Sequence, residues 1–148
     1  MASLEASIFI AATPQEVFDY VRDPGNLASH HGIVLHAETQ GDGPIRSGSR
    51  FRGTSQILGR TYDWTAEIVD HERPSIISFQ AVAGNISVTI SYTMIPEGSG
   101  TRLAYRADAR PSPGSSFSVV AETLAVEGYR RQVLVDLATL DRILAGSS

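Results

Sequence analysis

The C-terminal stretch of this chain constrains its fold more than any other part. From Ser118 to Ala145 it contains no proline and a single glycine, Gly128. Val119, Val126, Tyr129, Val133, Leu137, Leu140 and Leu144 recur at steps of three, four and seven. At 3.6 residues per turn they make one apolar stripe. Glu122, Arg131, Asp136 and Arg142 fall beside or behind it. The spacing predicts a helix of roughly 40 Å. Each large side chain of the stripe contributes about 1.5–3 kcal/mol when fully buried, so such a helix needs an extended apolar surface to lie on.

The upstream chain can supply that surface as strands. Ala6, Ile8 and Ile10 alternate with Ser7, Phe9 and Ala11 in a first short strand. Thr13–Pro14–Gln15–Glu16 then starts a helix: threonine caps, proline takes the first helical position and Glu16 is placed for a capping box. Val17, Phe18 and Val21 give this helix an apolar face, and Asp23–Pro24 ends it and opens a second short one through Asn26 and Leu27. From Ile33 the period changes to two. Strands are predicted at Ile33 to Thr39, Ser49 to Leu58 and Arg60 to Asp70, then around Ile77–Ala81, Val88–Met94 and Leu103–Ala107. Turns fall at Gly41–Asp42–Gly43–Pro44, Gly59, Pro74, Gly84–Asn85 and Pro96 to Gly100. Pro111 to Ser116 reads as a linker into the long helix. The fold class is therefore α+β: a curved antiparallel sheet of about seven strands around a long C-terminal helix, with two short helices after the first strand. The 148 residues suit a single domain, 1–148.

Composition removes several function classes. Net charge is −4 with no basic run, so nucleic acid is not an expected partner. All twelve basic residues are arginine, which rules out Schiff-base chemistry. There is no cysteine for disulfides, thiol nucleophiles or thiolate metal sites. No apolar run reaches the length of a membrane span, and Met1 to Ser7 lacks the regions of a signal peptide. A cytoplasmic location is expected. Neither a cofactor nor a metal is called for, and a homodimer is left open.

The order of elements, together with local patterns, resembles the START-like helix-grip superfamily, which includes polyketide cyclases and aromatases and lipid-transfer domains. The resemblance rests on Ile10 to Phe18, Asp23–Pro24–Gly25–Asn26–Leu27, Gly48 to Arg52, Val69 to Pro74 and Gly100–Thr101–Arg102–Leu103. It covers almost the whole chain and implies one ligand-binding domain, although one scaffold of this kind hosts many ligands and several chemistries. Members often carry tryptophan shortly after the Asp–Pro pair. Here His30 and His31 stand in its place, so no role attached to that tryptophan carries over.

Strand alternation points Phe51, Ser55 and Ile57, then Tyr62, Trp64 and Ile68, towards the helix. Ile77 and Phe79, Ile90, Tyr92 and Met94, and Tyr105 continue the same face. Mostly apolar with a few polar tips, this set suits a pocket for a small hydrophobic molecule, or else plain core packing. On the long helix Val126, Gly128 and Val133 are the expected ligand-side positions, Gly128 because a mid-helix glycine can leave space. Candidates for proton transfer are Tyr62, Tyr92, Tyr105 and His30; the bland alternative for the His30–His31 pair is a solvated loop. His36 and His71 read as surface positions. Asp63 and Glu67 share the outward face, which argues against a catalytic carboxylate pair. Asp70–His71 has no serine elbow to complete a triad, and Gly41-x-Gly43 precedes no helix and so is a turn rather than a phosphate loop. Arg130 or Arg131 could flank the pocket or be solvated. Two functions follow: a carrier or binder of a hydrophobic or polyketide-like ligand, or, alternatively, a cyclase or aromatase closing or dehydrating rings by acid–base groups.

Overall fold

In a computed structural model the chain is described over residues 2–30, 32, 34–41, 43–57, 59–83, 86–111 and 127–145. The elements are β1 (Ala2–Ile10), α1 (Pro14–Val21), a 3-10 turn (Pro24–Asn26), α2 (Leu27–His30), β2 (Val34–Gln40) and β3 (Arg50–Ile57). They continue with β4 (Arg60–Glu72), β5 (Ile76–Ala83), β6 (Ile86–Glu97), β7 (Gly100–Pro111) and α3 (Glu127–Ala145). The seven strands form one sheet in the order β1-β7-β6-β5-β4-β3-β2, with every neighbouring pair antiparallel. Strands β2 to β7 are a meander. β1 pairs with the last strand, so the two short helices carry the chain from one sheet edge to the other.

The local signals act as their chemistry requires. Thr13 accepts from the Glu16 amide at 3.2 Å while the Glu16 carboxylate accepts from the Thr13 amide at 3.4 Å, closing the capping box of α1. The Asp23 side chain accepts from the Gly25 amide at 2.9 Å and starts the 3-10 turn. On α1, Val17, Phe18 and Val21 are wholly buried. On α3 the stripe Val133, Leu137, Leu140 and Leu144 is buried against the sheet, and the helix runs alongside β1 and touches α2. The stripe positions Val119 and Val126 lie outside the described residues, as does most of the linker after Pro111.

Three expectations need correction. Asp136, placed beside or behind the stripe, is buried at 8% exposure because its Oδ1 accepts from the Gly32 amide at 3.0 Å and from Gln132 Nε2 at 2.8 Å. It ties α3 to the turn after α2. His71, read as a surface residue, is half-buried. The β4–β5 register shifts between Ile68 and Asp70, so one extra residue on β4 reverses the alternation. His71 is thereby paired with inward Ile77 and set edge-on against Phe18, with ring centres 5.1 Å apart. His30 is no solvated loop residue either: it is 4% exposed and its ring lies 5.7 Å from that of Tyr20.

Candidate functional site

The concave face of the sheet is built row by row from the strand registers. Nearest α1, Ile77, Met94, Leu103 and Thr101 join Ile10, each 3% exposed or less, with Thr101 donating to the Ala12 carbonyl at 2.7 Å. The next rows hold a chain of aromatic rings. Phe51 meets Trp64 at 5.7 Å and Phe79 at 5.4 Å; Phe79 meets Tyr92 at 6.3 Å; Tyr92 meets Tyr105 at 5.4 Å. All four contacts are edge-to-face, the arrangement the ring quadrupoles favour and worth about 0.5–1.5 kcal/mol each beyond burial. Ala66 sits between Phe51 and β5 in register, and its short side chain lets rings two strands apart meet.

Past this ladder the inward-facing side chains are no longer sealed. Trp64, Ala81, Val88 and Ile90 point to the same side as the core yet are only partly buried. Two are short: Ala81 and Val88 stand in one cross-strand row with the buried Ala66 and Phe51. At this end of the concave face, apolar side chains are left partly exposed to solvent. On the same face Ser55, 5% exposed, accepts a hydrogen bond from Trp64 Nε1 at 2.8 Å. The indole lies so close over Gly53 that a Cβ there would stand 2.4 Å from it.

Of the expected site residues, Phe51, Ser55, Trp64, Ile68, Phe79, Ile90, Tyr92, Met94 and Tyr105 share the concave face, and Val133 is buried on α3. Tyr62 pairs with Ser55 and Ile57 with Arg60, but their side chains lie outside the described set, and Val126 lies outside it altogether. Gly128 is in the first turn of α3 as described. His30 lies against Tyr20, two residues before the Gly32 amide that Asp136 holds. Arg130 and Arg131 are exposed, as the solvated reading expects. The row Ala66–Ala81–Val88, inward by the same alternation, was not singled out as ligand-lining. Its signal was the run of short residues at inward positions of three adjacent strands.

Charge lies elsewhere. Among the described residues the concave face carries no carboxylate and no guanidinium. The convex face carries cross-strand pairs: Arg50–Glu67 at 3.2 Å, Arg52–Glu38 at 2.7 Å and Thr54–Asp63 at 3.0 Å. Asp63 and Glu67 thus face outward, as the alternation requires. The hydrogen bond from Arg52 holds the Glu38 carboxyl below its ordinary range, and that from Arg102 does the same for Glu97. An open depression of about 300 Å³ on the convex side is lined by Gln40, Arg50, Thr65, Glu67, Gln80 and Val82 and is crossed by the Arg50–Glu67 pair. No three potential metal ligands come together among the described residues, and no described helix is long and apolar enough to cross a membrane.

A seven-stranded antiparallel grip with two short helices and a C-terminal helix is the helix-grip fold. The sequence matches the model of the polyketide cyclase/dehydrase and lipid transport family over residues 1–140, and the chain belongs to that family. No curated protein matches it. Among solved structures, TTHA0849 from Thermus thermophilus is similar at 21% identity and a TM-score of 0.77, over 99% of each chain. The Zhui aromatase/cyclase from Streptomyces sp. R1128 is similar at 15% identity and a TM-score of 0.76, over 97% of this chain and 93% of that one. The di-domain ARO/CYC StfQ of the steffimycin biosynthetic pathway is similar at 13% identity and a TM-score of 0.76, over 99% of this chain and 52% of that one. At these identities the likeness concerns the fold.

Proposed function

We propose that the chain is a single ligand-binding domain that holds a small, flat, hydrophobic molecule of aromatic or polyketide-like character between the sheet and α3. The observation that carries this reading is that Trp64, Ala81, Val88 and Ile90 point inward yet stay partly exposed beside an edge-to-face aromatic ladder, and we read them as the lining of an apolar recess. Apolar side chains that point inward and still meet water lose burial that a ligand would restore, at about 25 cal/mol per Å². Family membership and the two aromatase/cyclase neighbours support a ligand of this class. The test is displacement of a fluorescent apolar dye by flat aromatic compounds, repeated on Val88→Trp, which fills the recess. Wild-type binding weakened at least tenfold by the filling residue supports the reading. Equal dye binding by both proteins overturns it.

A second reading, ring closure or dehydration of a poly-carbonyl chain, is favoured by the adjoining buried rings of Tyr92 and Tyr105. Their phenols can donate hydrogen bonds to carbonyl oxygens, and positioning alone supplies several kcal/mol of barrier lowering. In the catalytic reading, Tyr92→Phe or Tyr105→Phe, or substitution of Tyr62 or His30, lowers turnover of a poly-β-ketone at least tenfold in a folded protein. Intact turnover in all four variants removes them from the mechanism.

A further inference from the structure

The geometry points to Ser55 as the hydrogen-bond donor that selects the ligand: we infer that the recess prefers a flat apolar molecule bearing a carbonyl oxygen over the same molecule without one. This rests on the binding reading above and adds to it the polar half of the recognition. An indole N–H can only donate. In the 2.8 Å contact between Trp64 Nε1 and Ser55 Oγ, the serine oxygen is therefore the acceptor. A hydroxyl has two lone pairs and one proton, so the Ser55 proton is committed neither to Trp64 nor, among the described residues, to any other acceptor.

That proton is almost out of reach of bulk water, since Ser55 is 5% exposed. Its register partners are Val34 on β2 and Tyr62 on β4, and its side of the sheet is the one that carries Phe51 and Trp64. A buried donor without an acceptor is unfavourable. A carbonyl oxygen entering the recess satisfies it, whereas a methylene in the same place leaves it unsatisfied and excludes the water that could have replaced it. Trp64 is the positioning residue here. By occupying one lone pair of Oγ it limits the directions the proton can take, and the ring is itself held by the edge of Phe51 and by the bare backbone of Gly53. The hydrogen bonds should be cooperative: a serine that donates becomes a better acceptor from the indole.

Trp64 is the only tryptophan of the chain, so its indole N–H gives one assignable NMR signal. The probes are 1-tetralone and tetralin, which differ by one carbonyl oxygen on the same bicyclic body, titrated into the wild-type protein. The ketone is expected to bind roughly three- to tenfold tighter, the range of one neutral hydrogen bond. It should also move the indole proton downfield, which the hydrocarbon does not. Ser55→Ala should abolish the preference while retaining tetralin binding, and Trp64→Phe should shrink it. Should Ser55→Ala fail to fold, the wild-type pair still decides, through both the affinity ratio and the indole shift. Equal affinity of the two probes for the wild type, or a preference that survives in folded Ser55→Ala, overturns the role of Ser55 and leaves the recess standing as an apolar site. Binding of neither probe overturns the recess and Ser55's role together.

Discussion

The two ends of one concave face differ sharply. Under α1, Phe18, Ile77, Leu103 and Ile10 are wholly buried, and the capped helix closes over them. At the far end, side chains of the same type on the same strands remain partly in water. β5 shows the contrast within one strand: Ile77 is wholly buried, whereas Ala81, four residues on and facing the same way, is not. The difference teaches that alternation alone decides which side a residue faces, while what lies above it decides whether it becomes core or lining. One end is sealed core; the other leaves apolar surface partly in contact with water.

The largest expected effect comes from that contrast. Phe18→Ala removes a fully buried ring that touches His71 and should destabilise by about 3–5 kcal/mol. Ile90→Ala at the open end loses less, about 1 kcal/mol, because part of that side chain is already hydrated and little new cavity forms. Urea unfolding of the two variants measures the gap. Equal losses would mean that the far end is as closed as the near one.

A middle-sized effect is expected at Gly53. Its hydrogen lies where a Cβ would meet the Trp64 ring at 2.4 Å and the His36 carbonyl at 2.5 Å. One of those neighbours is backbone and cannot swing away. Gly53→Ala should therefore cost about 1–3 kcal/mol, the range of overpacking, and displace the indole from Ser55. Unchanged Trp64 fluorescence and an unchanged unfolding midpoint would show that the ring has slack, and the open end would then be looser than its contacts imply.

How far the sequence led is itself uneven in the same way. The strands, their inward faces and the capping box of α1 were legible because each is a local pattern with a short period: Tyr92, Met94 and Leu103 face inward by simple alternation. Three placements were not legible. His71 needed the bulge after Ile68, a register shift between two strands that alternation along one strand does not record. Asp136 has its partner, the Gly32 amide, 104 residues away. His30 follows the Asp–Pro pair as a loop residue would, and its burial depends on Tyr20 and on the elements packed around it. The aromatic set itself was legible as inward-facing, but whether it is core or lining depends on cover from other elements, which periodicity does not carry.

The smallest expected effect concerns the rim of the sealed end, where Arg73 grips Asp19 of α1 through bonds of 2.8 and 2.9 Å. The Arg73 hydrogen bond is the main reason the Asp19 carboxyl sits below its ordinary value; burial, the next largest effect, works the other way, and the charges of Arg73, Arg22 and His71 add to the lowering. A carboxyl whose pKa is lower folded than unfolded favours the folded state once it is ionised. Its contribution is fully present above the unfolded value of about 4 and is lost as pH falls through the folded one. The pair is exposed to solvent, with 47% and 41% of the two side chains accessible, so salt screens it and the effect on stability is small. NMR titration of the Asp19 carboxyl in wild type and Arg73→Ala makes it measurable: the variant's pKa should rise towards the ordinary carboxylate value, and the loss of stability between about pH 5 and 3 should become shallower. If Arg73→Ala leaves the titration where it was, the arginine is not what holds α1 at that rim. The seal over Phe18 would then rest on apolar packing alone, as the larger effect of Phe18→Ala already implies for most of its strength.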